Sequence, residues 1–220
     1  MGKSCFIDLY KKLTECLDAD YTTVENDASY CIQRQGELLK IFFEKSNGDK
    51  DWKSNFNFPA KPYRMMKDKW YCHRGFLIIW KTVEPLIANE INNPKIKRIE
   101  VVGYSHGGAI AALCCEYIRF NRPEVALCGV GFGAPRVLWG KASDATQTRF
   151  KDFTVIRNGR DVVTYLPPAF LGFRHVGEIL EIGESKGPVK DHFAEYYLDA
   201  LSEKNIRPMR NAQWQAPLKP

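Results

Sequence analysis

Apolar and polar positions along this chain change period several times, and each change marks an element. Over residues 5–17 the side chains Phe6, Leu9, Tyr10, Leu13, Cys16 and Leu17 recur three and four apart, which predicts an amphipathic helix. Residues 29–45 read as two strands joined at Gln35-Gly36. The second strand carries Leu38, Leu39, Ile41, Phe42 and Phe43 and closes at Ser46-Asn47-Gly48-Asp49. Residues 51–71 are rich in aromatic side chains but hold no period, so they predict a functional loop or a packed excursion. Helical spacing returns over 75–91 through Phe76, Ile79, Trp80, Val83, Leu86, Ile87 and Ile91, and Asn93-Pro94 stops it. A short β-branched run, Ile99, Val101 and Val102, then leads through Gly103-Tyr104-Ser105-His106-Gly107 into a small-residue helix ending near Phe120. Residues 126–132 and 153–157 are apolar strands, separated by a loop or short helix over 137–151. Residues 173–182 read as an extended hairpin arm, and 190–204 as a helix beginning at Asp191-His192. The alternation predicts an α/β fold, with a mostly parallel central sheet, helices on both faces and reacting groups at the carboxyl ends of the strands. One domain over residues 1–206 and a proline-bearing tail over 207–220 are expected.

Composition narrows the picture only slightly. The chain of 220 residues can bury one sizeable core, and its 45% hydrophobic and 26% charged content is ordinary for a soluble globular protein. The net charge of +6 is scattered, which permits contact with an anionic lipid surface and gives no ground for nucleic-acid binding. No apolar run reaches the roughly 18 residues of a membrane span. Asp8 interrupts the N-terminal apolar run too early for a secretory leader, and the seven cysteines form no Cys-x-x-Cys pair. Together these features lead to the expectation of a cytoplasmic protein with buried, reduced thiols.

The candidate chemistry centres on Ser105. A serine with a glycine two positions to each side, between a strand and a helix, is a tight elbow that lifts the hydroxyl clear of the sheet. It also sets the hydroxyl beside a helix N-terminus, where backbone N–H groups point outward. Such a nucleophile needs a base, and the chain holds His73, His106, His175 and His192. His106 adjoins Ser105, so its ring is aimed elsewhere while its backbone N–H is placed as an oxyanion donor. In a serine–acid–histidine order the base comes last, which leaves His175 and His192. His192, at the start of the last helix, is favoured as the base, and His175, in a strand-like arm, stays open as the alternative base. Asp161 follows the strand 153–157 by a short turn and is the candidate acid; Asp144, Asp152 and Asp191 sit in weaker contexts, the last as a helix cap. Ser46, just past the buried second strand, is the candidate second oxyanion donor. Trp52, Phe56, Phe58 and Trp70 are candidates for a lid or acyl-binding wall.

These segments resemble the class 3, fungal-type lipase family of the α/β-hydrolases. FFEKSNGDKDW is similar to that family's strand ending in Phe-Arg-Gly-Ser/Thr, HRGF to its Val-His-x-Gly-Phe, and GYSHGGAIAAL to its Gly-His-Ser-Leu-Gly-Gly-Ala-Leu-Ala. FGAPRV, RNGRDVVTYLPP and DHFAEYYL follow in the family's order. Glu44-Lys45, Tyr104 and His106 depart from its pattern. The resemblance implies an α/β-hydrolase fold and a Ser105–Asp161–His192 triad with Ser46 and His106 at the oxyanion hole. It further implies hydrolysis of acyl esters, mostly of lipids, without metal or cofactor, and transient contact with a membrane surface. The same machinery would serve a phospholipase or a thioesterase, and a hydrolase-like fold can also be kept as an interaction module.

Overall fold

The computed structural model describes residues 8–44, the backbone of 60–63, and residues 70–141 and 143–202. The chain runs α1 (Leu9–Leu17), β1 (Thr22–Val24), β2 (Ala28–Gln35), β3 (Leu38–Phe43), β4 (Ala60–Tyr63), β5 (Trp70–His73) and α2 (Arg74–Ile91). It continues through β6 (Arg98–Tyr104), α3 (His106–Asn121), β7 (Ala126–Phe132), β8 (Leu138–Trp139), α4 (Asp144–Arg149) and β9 (Phe153–Asn158). It ends with β10 (Phe173–Arg174), β11 (Glu178–Ile182) and α5 (Ala194–Ser202).

The main sheet has the order β1-β2-β3-β6-β7-β9-β11. From β3 to β11 every pairing is parallel, while β1 and β2 add an antiparallel edge. This is the expected α/β architecture. Period-two alternation sorts each strand between two apolar layers. Leu39, Ile41 and Phe43 of β3, Ile99 and Val101 of β6, and Phe153 and Val155 of β9 face a core shared with α2 and α3. Phe42, Val102, Tyr104, Val130, Phe132 and Ile156 face the opposite core, shared with α1 and α5.

Helix α3 lies in the larger core and is buried almost all round, from Gly107 to Ile118. Its small residues let it approach the sheet closely: a Cβ on Gly108 would sit 2.7 Å from that of Ala134. Its one charged residue there, Glu116, pairs with Arg149 of α4 at 2.7 Å. On the other face α1 buries Leu9, Leu13 and Cys16 and is tied down by two ion pairs at 2.7 Å, Lys12–Glu100 and Lys40–Glu15.

Most elements lie where the periodicity puts them, and two differ. Residues 173–182 form no hairpin. The strands β10 and β11 part at Gly177 (φ 70°), β10 joining β8 in a small antiparallel sheet, β10-β8-β5-β4, and β11 lying parallel to β9 in the main sheet. The last helix does not begin at Asp191: a short 3-10 turn over Lys190–His192 is broken at Phe193, whose backbone is extended, before α5 starts. Strand β1, three residues long and mostly exposed, gives too short an apolar pattern to be seen in the sequence.

Candidate active site

The elbow forms where the sequence places it, and close backbone approach is the reason for both glycines. Strand β6 ends at Tyr104, Ser105 takes φ 56° and ψ −124°, and α3 begins at His106. A Cβ on Gly103 would lie 2.2 Å from the carbonyl oxygen of Gly107, and a Cβ on Gly107 would lie 2.2 Å from that of Phe43. Ser105 is one of two described non-glycine residues with positive φ, a conformation that persists only where its surroundings enforce it. Its N–H donates to the Phe132 carbonyl (2.8 Å) and its carbonyl accepts from Gly108 N–H (2.9 Å), which pins the turn to β7 and to the first turn of α3.

Three side chains from separate parts of the chain converge here. Ser105 Oγ lies 2.8 Å from His192 Nε2. His192 Nδ1 lies 2.9 and 2.8 Å from the two carboxylate oxygens of Asp161. With Nδ1–H donating to the carboxylate, Nε2 is left as an acceptor for the serine hydroxyl. Asp161 is fully buried, and its Oδ1 also accepts from Val163 N–H at 2.9 Å. Gly133 (φ 59°) leaves space for this pair: a Cβ there would lie 2.8 Å from Asp161 Oδ2 and 3.1 Å from His192 Cε1.

Two tyrosines complete the surroundings, and sequence reasoning singled out neither for this role. Tyr197 of α5 donates from Oη to Asp161 Oδ2 at 2.6 Å. Burial first, and then the Asp161 charge, push its phenol pKa upward, so it acts as a donor. Tyr104 donates to the backbone carbonyl of His192, and its ring stacks on the imidazole at 5.6 Å. The available signal was alternation: Tyr104 shares its face of β6 with Val102, and that face meets α5.

The other histidines are held away from this chemistry. His175 Nε2 donates to the Thr164 carbonyl at 2.6 Å, and burial, helped by Arg157 and Arg136, pushes its pKa down to about 3. It is a structural histidine. His73 is buried at the N-cap of α2, where Nδ1 accepts from Phe76 N–H, and burial lowers its pKa to about 4. The His106 ring packs edge-on against Phe76 at 5.2 Å, with its pKa also lowered to about 4 by burial and then by His73. Its backbone N–H opens α3 and has no intrahelical acceptor.

Of the remaining expected residues, Ser46, Trp52, Phe56 and Phe58 lie outside the described residues. Trp70 is corrected: it is 1% exposed, lies in β5 and packs edge-on against Phe150 at 5.5 Å, so it is part of the core and not of a binding wall. Asp191 caps no helix; its carboxylate accepts from Arg160 N–H, Lys186 N–H and the Ser185 hydroxyl. Asp144 and Asp152 stand apart, the first opening α4 and the second paired with Arg119. Five described cysteines are free and buried as expected, whereas Cys128 is disulfide-bonded. Among the described residues no group of three or more His, Cys, Asp or Glu could hold a metal ion, and no helix is long and apolar enough to cross a membrane.

A parallel sheet with a serine elbow at the end of a central strand, and an acid and a histidine delivered by later strand ends, defines the α/β-hydrolase fold. Within it the chain belongs to the class 3 lipase family, which residues 41–171 match. It is 33% identical over 136 residues to a secreted mono- and diacylglycerol lipase of Fusarium solani, covering 57% of this chain and 38% of that protein. It is 30% identical over 168 residues to a lipase of Rhizomucor miehei, covering 72% and 46%. The chain thus spans less than half the length of these relatives. Lipase II of Rhizopus niveus shares the fold, with a TM-score of 0.63 at 23% identity over 77% of this chain and 66% of that one. The Fusarium relative is a secreted protein, which overturns the expectation of a cytoplasmic one.

Proposed function

We propose that this chain is a serine ester hydrolase that cleaves acyl esters of lipids through an acyl-enzyme. The observation that carries the reading is the continuous hydrogen-bonded path from Ser105 Oγ through His192 to buried Asp161. His192 Nε2 takes the hydroxyl proton as Oγ attacks the acyl carbonyl. Asp161 holds the imidazole in the required tautomer and stabilises the imidazolium that forms. The N–H of His106 steadies the oxyanion, with Ser46 as the second donor. The imidazolium then gives its proton to the leaving alcohol, and a water activated by the same base releases the acid.

Lipid as the substrate class is supported by the family and by apolar side chains left in solvent next to the reacting residues. Phe193 (48% exposed) follows His192, and Val189 (62%) lies three residues before it. Further along the chain Phe170 is 87% exposed, and the carbonyl of half-exposed Leu171 accepts from the indole of Trp139 at 2.9 Å. Exposed aromatic and aliphatic groups of this kind suit transient contact with a lipid surface.

The test is labelling by a fluorophosphonate together with hydrolysis of p-nitrophenyl esters. The parent chain should react, and Ser105→Ala should do neither. His192→Ala should lose at least about a thousandfold in kcat, while His175→Gln, which can still donate to Thr164, stays within about twofold. Equal labelling of Ser105→Ala, or a larger loss at His175 than at His192, would overturn the assignment.

A further inference from the structure

The proposed reaction depends on two loops that reach the site from different directions. Asp161 comes from the turn after β9, and His192 comes from the connection between β11 and α5. Residues 183–189 of that connection lie in no helix or strand, so strand pairing does not fix the base. Asp191 sits where the two loops meet. It is fully buried, and Oδ2 accepts from the N–H of Arg160 (2.8 Å) and the hydroxyl of Ser185 (2.6 Å). Oδ1 accepts from Lys186 N–H (2.7 Å). Its backbone joins in: Asn158 Nδ2 donates to the Asp191 carbonyl (3.1 Å), and Asp191 N–H donates to that of Gly187 (2.8 Å).

Arg160 directly precedes Asp161, and Asp191 directly precedes His192. We propose that Asp191 is a positioning residue for this hydrolysis, clamping the Asp161 loop to the His192 loop through its carboxylate and so fixing the spacing of acid and base. The inference rests on the assignment of Ser105, His192 and Asp161 as the reacting set. Asp191 acts through its neighbours: both ring nitrogens of His192 are already engaged, by Ser105 and by Asp161. The site is built around the carboxylate. Gly159 takes φ 47°, and a Cβ there would lie 2.7 Å from Asp191 Oδ2. Burial by itself would raise the carboxyl pKa, but donors from Ser185, Arg160, Lys186 and Gly187 outweigh it and hold the group in its charged, all-acceptor form.

An apolar residue here would leave the Arg160 N–H, the Lys186 N–H and the Ser185 hydroxyl without their carboxylate acceptor and free the loop that carries the base. An amide keeps one acceptor oxygen, but its NH2 must face a backbone N–H or the Ser185 hydroxyl. A misplacement of about 1 Å in a reacting group can cost about a hundredfold in rate.

The experiment measures kcat and KM on a p-nitrophenyl ester, the fluorophosphonate labelling rate and urea stability, for the parent chain and for Asp191→Ala, Asp191→Asn and Ser185→Ala. Glu100→Gln, at the far end of β6, serves as a stability control. The expected order of kcat is parent, Ser185→Ala, Asp191→Asn, Asp191→Ala, with losses reaching about a hundredfold, KM within about twofold and labelling rates falling in step. Glu100→Gln should lose stability and keep kcat. If Asp191→Ala does not fold, the Asn and Ser185 variants decide. Parent-like kcat in folded Asp191→Asn, or a loss confined to KM, would overturn the clamp. An inactive, unlabelled parent chain would instead overturn the hydrolase reading itself.

Discussion

Adding one methyl group at each of three glycines should separate space from backbone conformation at the elbow. At Gly103 the new Cβ would meet only backbone: the carbonyl oxygen of Gly107 at 2.2 Å, its carbon at 2.4 Å and the nitrogen of Gly108 at 2.7 Å. No side chain can rotate away. Ordinary contact begins near 3.4 Å, so β6 and the first turn of α3 must separate by about 1.2 Å. That movement lies directly beneath Ser105, whose N–H and carbonyl are pinned to Phe132 and Gly108. We expect Gly103→Ala to lose about a hundredfold in labelling rate and in kcat, and about 1–3 kcal/mol in stability. Gly107→Ala drives its Cβ into the Phe43 carbonyl at 2.2 Å and should behave alike. Gly36, in the β2–β3 turn, is the contrasting case, because a Cβ there meets nothing within 4 Å but the residue sits at φ 61°. Gly36→Ala should cost about 1–2 kcal/mol of conformational strain and leave kcat unchanged. The assays are fluorophosphonate labelling, p-nitrophenyl ester turnover and urea unfolding on all three variants. Gly103→Ala with parent-like labelling and stability would refute the steric account of the elbow.

Two further outcomes follow from the same coordinates. Ser105 holds φ 56° only because its neighbours enforce it, so Ser105→Gly should be more stable than Ser105→Ala by about 1 kcal/mol in urea unfolding, with both variants inactive; equal stability would show that the turn stores no strain. The buried histidines should make the fold acid-sensitive. His73, His106 and His175 have folded pKa values near 4, 4 and 3, below their ordinary 6.5, so the unfolded chain binds protons that the native chain refuses. The stability they contribute is present above pH 6.5 and is lost as pH falls from there toward 4, at up to about 1.4 kcal/mol per histidine per pH unit. Glu116 opposes them. Burial raises its pKa from 4.5 to about 7, so acidification through that window favours the native state by one proton. His175→Gln should therefore flatten the pH dependence of urea stability between pH 6.5 and 4 by one proton, and an unchanged slope would place the titration elsewhere.

Local pattern went far in this chain because its main events are local. Short apolar runs place the parallel strands, spacings of three and four place α1 and α2, small residues place α3, and the glycines flanking Ser105 specify the elbow, since only glycine fits the backbone approaches at positions 103 and 107. Burial and partnership were not legible to the same degree. Trp70, in a stretch without a period, reads as part of a lid or acyl-binding wall, but the small sheet turns it inward against Phe150. Residues 173–182 read as an extended hairpin arm, but their partners β8 and β9 lie elsewhere in the sequence, and pairing between distant strands leaves little mark on either one alone. Order and position favour His192 over His175 as the base, but what each ring meets is tertiary: the Thr164 carbonyl engages His175, and Asp161 and Ser105 engage His192. Sharp backbone turns and the faces that must leave water are legible in the linear chain, because those demands act within a few residues. Only the folded chain decided which donor meets which acceptor, Tyr197 with Asp161 and Asp191 with Arg160, because those distances depend on how separate strands close upon one another.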